Sequence, residues 1–145
     1  VAMGANPQHT LLAFREAEAW PGPSLIIAYS HCIAHGLDLR HGMQQQDLAT
    51  ASGYWPLFRF NPAMHTIGER PFRLDSPRPT IPFKAYAYNE LRYRALAHTD
   101  PDAAEALLAK AQQVVTEKYR QYEELASRGS QCFHPVIDEP GVTQG

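Results

Sequence analysis

Cysteine is scarce in this chain: 145 residues hold two, Cys32 and Cys132. Two are too few for a disulfide framework, and the plain reading is a reducing, cytoplasmic setting. An excess of one charge is lacking too. Thirteen Lys and Arg stand against 15 Asp and Glu, for a net charge of −2, and the isoelectric point is near 6.4. That balance excludes the basic footprint of a nucleic-acid binder or of a protein drawn to an anionic membrane. Long apolar runs are missing. The longest, Leu25 to Tyr29, falls far short of the ~20 residues that a membrane-spanning helix needs. The first residues do not read as a basic-then-apolar leader, and no internal repeat is visible.

What is there suits a folded domain. The hydrophobic share of 44% is a normal globular value, and the length suffices for one core. Val1 to Gly4 reads as the end of a strand, and the chain as a piece of something longer. Asn6-Pro7 supplies a helix cap and a first-turn proline. Leu11, Phe14 and Ala17 then recur at helical spacing to about Ala19, and Pro21-Gly22-Pro23 stops the run. The unalternating Leu25 to Tyr29 is predicted as a strand covered on both faces. Strand, helix, strand makes one βαβ unit and implies a parallel sheet.

Beyond it, a short helix is predicted from about Gln44 to Ser52, closed by Gly53. The aromatic stretch Gly53 to Pro62 reads as a short strand that Pro56 demotes to an edge or a bulge. Pro71, Pro77, Pro79 and Pro82 mark an extended surface connector. One helix is predicted from about Pro82 to His98. A second starts at Asp100-Pro101, with Ala104, Leu107, Leu108, Ala111, Val114, Val115, Tyr122 and Leu125 on one stripe, and closes at Arg128-Gly129. Residues 130–145 lack periodicity and are expected to be poorly ordered.

Chemistry concentrates where the Leu25–Tyr29 run ends. His31, Cys32, His35 and His41 follow within a few residues, and the carboxyl edge of a parallel sheet is where ligands sit. Imidazole and thiolate are zinc's preferred donors, so His31, Cys32 and His35 can be read as a zinc module, although their spacing fits no familiar pattern. A cysteine nucleophile helped by His31 or His35 is a second reading, with no acid in place to orient the imidazole. A third makes Cys32 one ligand of a metal cluster whose other ligands lie elsewhere. A fourth leaves a buried thiol in a loop with incidental histidines. Local pattern does not choose among them. Tyr54, Trp55, Phe58 and Phe60 read as core packing, Arg70, Arg73 and Arg78 as a solvated surface able to dock an acidic partner, and Cys132 as an exposed thiol of no special role.

A resemblance narrows the choice. The stretch from Pro21 to Gly36, with its Ser-Leu-Ile-Ile-Ala-Tyr-Ser-His-Cys-Ile core, is one part of it. Val1 to Asn6, Ala17 to Ala19, Ser52 to Pro62 and Pro71 to Ser76 are the others. Together they resemble the C-terminal end of pyruvate:ferredoxin (flavodoxin) oxidoreductases, over roughly Val1 to Arg128. The resemblance implies an α/β fold, with residues 1–62 as the C-terminal part of a thiamine-diphosphate-binding parallel-sheet domain; beside it the residues themselves give a Pro-rich connector (63–82), a helical segment (83–129) and a disordered tail (130–145). It implies a cytoplasmic, homodimeric enzyme that converts pyruvate and coenzyme A to acetyl-CoA and CO2. Electrons would pass through iron–sulfur clusters to ferredoxin or flavodoxin. Cys32 would be the remote fourth ligand of the [4Fe–4S] cluster nearest the thiamine diphosphate. The other thiolates, the pyruvate site and the thiamine diphosphate and Mg2+ motif would lie upstream. No catalytic or organic-cofactor residue is expected in this segment, and no activity from it alone.

Overall fold

Asn6 opens the first helix as the sequence leads one to expect: its Oδ1 accepts from the His9 amide at 2.8 Å, satisfying one of the donors a helix start leaves over. The computed structural model describes residues 1–128. Among them run helix α1 (Pro7–Ala19), two short 3₁₀ turns (Ile33–His35 and Leu39–His41), α2 (Gly42–Ala51) and strand β1 (Phe58–Phe60). A longer 3₁₀ segment (Pro62–Ile67), strand β2 (Phe72–Leu74) and helices α3 (Phe83–Ala87), α4 (Leu91–Thr99) and α5 (Pro101–Ser127) complete it. Residues 129–145, with Cys132 and the expected disordered tail, lie outside the described residues.

The fold is a mixture of helices and a small sheet, but the sheet differs from expectation. β1 and β2 pair antiparallel, Phe58 opposite Leu74 and Phe60 opposite Phe72. No regular strand forms over Leu25–Tyr29. What exists there is a single parallel step. The Val1 amino group donates to the Ile27 carbonyl at 2.7 Å, and the Tyr29 amide donates to the Val1 carbonyl at 2.9 Å, the slanted pattern of a parallel ladder. The expected covering of both faces is absent too: Leu25 is 84% and Ile27 56% exposed. A run of that composition becomes a central strand only with neighbours on both sides, and in this chain it has one residue's worth.

Three further boundaries move. β2 lies inside the stretch read as an extended surface connector, and Phe72 is buried. Its ring stacks on Phe58 at 5.2 Å, an aromatic cross-strand contact of the kind that stabilises short ladders. The helix expected over Pro82–His98 is two helices, broken at Tyr88-Asn89-Glu90. No proline or glycine breaks it. Asn89 Nδ2 instead bonds the Ala85 carbonyl at 2.8 Å, while Glu90 adopts an extended backbone and turns its carboxylate inward; polar side chains compete at this point with the helix ladder. On α5, Ala104 and Val115 are buried as expected, but Leu107 and Val114 are exposed and Tyr119 is buried instead.

The core gathers Ala49, Phe83, Tyr86, Ala87 and Val115, ringed by Tyr29, Tyr54, Trp55 and Leu108. Tyr54 stacks on Tyr86 at 4.7 Å and Trp55 meets Tyr29 edge-on at 5.4 Å, so these aromatics act as packing. Gly53 holds the left-handed conformation (φ +77°) expected after α2. Two buried glutamines on α2 find partners: Gln46 Oε1 accepts from the Gly4 amide at 2.7 Å, and Gln45 Nε2 donates to the Tyr86 carbonyl at 3.2 Å. The three connector arginines are engaged within the chain. Arg70 reaches the Ala126 carbonyl, Arg73 pairs with Glu69 and Arg78 with Glu123.

An ion network fastens α1 to the hairpin. Arg59 holds Asp75 with two bonds, Nε to Oδ2 at 2.9 Å and Nη2 to Oδ1 at 2.8 Å, and also reaches Glu16 on α1. Two parallel bonds of this kind give geometric specificity as well as energy. His9 Nε2 stands 3.0 Å from Asp75 Oδ2. Burial pushes the His9 pKa below its ordinary value of 6.5, against the opposing pull of Asp75. The unfolded chain therefore binds this proton more readily. Stability is full above pH ~6.5 and falls as the pH drops from there toward the folded-state value. His9→Gln, which keeps a donor toward Asp75, is expected to flatten this loss. Comparing urea midpoints of the two proteins between about pH 7.5 and 5.5 checks it; parallel curves would refute it.

Candidate metal-ligand site at Cys32

Residues 24–32 carry no helix, turn or regular strand and end at Cys32, which caps the Ile33–His35 turn in an extended conformation (φ −133°, ψ 134°). The turn closes through the His35 amide on the Cys32 carbonyl at 3.1 Å and the Gly36 amide on the Ile33 carbonyl at 2.8 Å. Cys32 is a free, exposed thiol at the apex, not the buried one that a packing role would give.

The histidines around it go separate ways. His31 lays its ring on Gly42 at the start of α2, so closely that a Cβ there would stand 2.2 Å from Nε2. His35 Nδ1 faces Glu90 Oε2 at 3.7 Å. His41 Nδ1 faces Asp38 at 3.9 Å. Each imidazole is drawn to a different neighbour, and among the described residues no three His, Cys, Asp or Glu side chains gather to hold a metal ion. The zinc module of His31, Cys32 and His35 is therefore not supported: a tetrahedral site needs donors that converge. Neither imidazole hydrogen-bonds Cys32, so the nucleophile reading lacks its base.

What holds the turn is a polar network that the sequence pattern did not reveal. Tyr29 OH meets Tyr86 OH at 2.8 Å. Tyr86 OH also bonds Glu90 Oε1 at 3.3 Å, and Gln45 Nε2 donates to the same oxygen at 3.2 Å. Burial raises the Tyr86 phenol well above its ordinary value, with Tyr29 adding to the effect; it stays a neutral donor. Burial likewise raises Tyr29. Glu90 Oε2 lies 2.7 Å from Arg92 Nε. The signal in the sequence was slight: Tyr86 and Glu90 stand four apart, and Gln45 shares the inner face of α2 with Ala49, four residues on.

Gly36 completes the attachment. It sits at φ +73°, and a Cβ there would stand 2.3 Å from Leu91 Cβ. The Leu91 amide donates to the Gly36 carbonyl at 3.4 Å. Gly36→Ala is expected to cost at least about 1–2 kcal/mol from the left-handed backbone alone and to free the Cys32 turn from α4. Faster hydrogen exchange at residues 33–36 is the check; unchanged exchange would refute it.

An open groove of about 660 Å3 lies toward the other end of the 24–32 segment, lined among others by Trp20, Leu25, Ile27, Trp55 and Tyr122, and neither Cys32 nor its neighbouring histidines line it. Among the described residues no helix is long and apolar enough to cross a membrane.

Comparison with known proteins places this mixed helix-and-sheet chain beside oxidoreductases. No protein-family model matches the chain. It is 48% identical over 128 residues to a pyruvate-flavodoxin oxidoreductase of Trichormus variabilis. It is 43% identical to the enzyme of the same name from Klebsiella pneumoniae and 42% identical to a pyruvate:ferredoxin oxidoreductase of Moorella thermoacetica. These matches cover 87–88% of the chain and 11% of each relative. Over nearly all its length, then, the chain matches one segment of pyruvate:flavodoxin and pyruvate:ferredoxin oxidoreductases, as a fragment of such an enzyme would. It spans about a ninth of their length.

Proposed function

We propose that this chain is a segment of an enzyme that oxidatively decarboxylates pyruvate in the presence of coenzyme A, giving acetyl-CoA and CO2 and passing electrons to ferredoxin or flavodoxin. In this reading residues 1–62 close a thiamine-diphosphate-binding domain, 63–82 connect, and 83–129 form a helical segment. The intact enzyme is cytoplasmic and homodimeric. Its thiamine diphosphate, Mg2+, pyruvate and coenzyme A are bound by upstream residues, and the segment by itself carries no catalysis.

The observation that carries the reading is the exposed Cys32 thiol, outside any group of three metal-binding side chains among the described residues, in a chain so similar to these oxidoreductases. Such a donor set fits one ligand of a [4Fe–4S] cluster, whose four thiolates are commonly drawn from distant parts of a sequence. It does not fit a self-contained site. When bound, a cluster of this kind takes up one electron at a time. Cys32 contributes one thiolate to it. The parallel step between Val1 and Ile27–Tyr29 supports the reading: Cys32 follows it on the carboxyl side, the side on which cofactor crevices lie in open α/β sheets. Tyr29 and His35 anchor the turn on either side.

Metal analysis of the intact enzyme tests this. Iron and labile sulfide are expected to fall by about one cluster per polypeptide in Cys32→Ser, with zinc unaffected. Unchanged iron, or zinc that tracks Cys32, would overturn it.

A further inference from the structure

Among the described residues the Cys32 thiol has no hydrogen-bond partner, yet the turn that carries it is tied at both flanks to one buried side chain. Glu90 is 1% exposed. Through Oε1 it reaches Tyr86 and, by way of the Tyr86 hydroxyl, Tyr29, three residues before Cys32. Through Oε2 it faces His35 at 3.7 Å, three residues after. The next residue, Leu91, bonds Gly36. Gln45 from α2 and Arg92 from α4 complete the surroundings of the carboxylate. Among the described residues Oε2 accepts no aligned hydrogen bond, although Arg92 Nε is close enough to pair with it. A carboxylate is a costly way to fill a core, since apolar side chains of similar volume often serve stability as well or better. What it supplies is direction: fixed partners on both sides of a short turn.

We propose that Glu90 is a positioning residue for Cys32, fixing the turn from residue 29 to residue 36 so that the thiol stands where a cluster ligand must. The proposal rests on the reading of Cys32 as a cluster ligand. Partners beyond the ligands themselves orient metal sites and commonly alter metal affinity by about 10–100-fold when removed. Glu90 would act in this way through Tyr29 and His35 rather than by touching the cluster.

The test uses the intact enzyme with Glu90→Gln, which keeps the side chain's size, and Tyr86→Phe, which removes the bridging hydroxyl. Leu57→Ala serves as the comparison, because it opens a cavity at a buried site away from the turn. Retention of the cluster against an iron chelator and the line shape of its electron paramagnetic resonance signal are the readouts. Glu90→Gln and Tyr86→Phe are expected to weaken retention by about 10–100-fold and to shift or broaden the signal. Leu57→Ala should leave the signal at its wild-type position. Wild-type retention and line shape in both polar variants, or the same changes in Leu57→Ala, would overturn the positioning role. Cys32→Ser separates this from failure of the reading beneath it. A cluster signal that survives in Cys32→Ser overturns both, whereas loss there beside wild-type behaviour in Glu90→Gln overturns the positioning role alone.

Discussion

Tyr86→Ala is expected to lower the stability of the chain by about 3–5 kcal/mol, the range for removing a large buried aromatic. Tyr86 is 1% exposed and touches three parts of the structure at once. Its ring stacks on Tyr54 at 4.7 Å and lies 5.7 Å from Phe83. Its hydroxyl joins Tyr29 to Glu90, and its carbonyl accepts from Gln45 at 3.2 Å. Alanine leaves a cavity and strips a buried carboxylate oxygen of one of its two donors. Tyr86→Phe isolates the second part. It keeps the ring and is expected to cost about 1–3 kcal/mol, the penalty for leaving buried polar partners unpaired. A fall in the urea midpoint with an unchanged slope measures both. Equal costs for the two substitutions would mean that ring packing contributes little, and would contradict a core built on stacked aromatics.

Cys32→Ser is expected to lower turnover with ferredoxin or flavodoxin by more than about 100-fold in the intact enzyme, a larger loss than disturbing an outer-shell partner brings. Serine keeps the shape of the side chain but replaces a soft thiolate donor by a hard oxygen, a poor substitute at an iron–sulfur centre. Because pyruvate is proposed to bind through upstream residues, its KM should hardly change while kcat collapses. That split marks a group needed after substrate binding. Cys132→Ser, at the other cysteine, is expected to leave both parameters unchanged. A large rise in KM for pyruvate with kcat intact would contradict the role assigned to Cys32.

Local signals carried part of the fold in plain view. The Asn6-Pro7 cap, the Gly53 stop and the Asp100-Pro101 start each fix a helix end by short-range chemistry, and each stands where the residues imply. α5 likewise begins at Pro101, with Asp100 Oδ1 accepting from the Ala103 amide at 3.0 Å. Long-range features were harder to see. The Leu25–Tyr29 run has the composition of a central strand, but strandhood depends on neighbours, and only Val1 pairs with it among the described residues. β2 was hidden among prolines because its pairing is with β1, more than ten residues away. The break before α4 follows from where Glu90's carboxylate points, which no periodicity encodes.

The candidate site divides the same way. Cys32 stood out because cysteine is rare and because the apolar run ends beside it. Whether its histidines form a donor set stays open in the sequence, since closeness along the chain says nothing of where rings turn: His31 lies on Gly42, His35 faces Glu90 and His41 faces Asp38. Glu90, Tyr86 and Gln45 passed unnoticed because a Glu, a Tyr and a Gln at helical spacings look like any helix surface. Their role arises from three elements meeting.

Cys32 is proposed as a ligand of an iron–sulfur cluster completed by other parts of a pyruvate oxidoreductase. Anaerobic electron paramagnetic resonance of the reduced intact enzyme, compared with its Cys32→Ser variant, addresses that assignment most directly. The expected result is disappearance of one cluster's signal with the remaining signals intact. Retention of every cluster signal, together with full turnover, would contradict it.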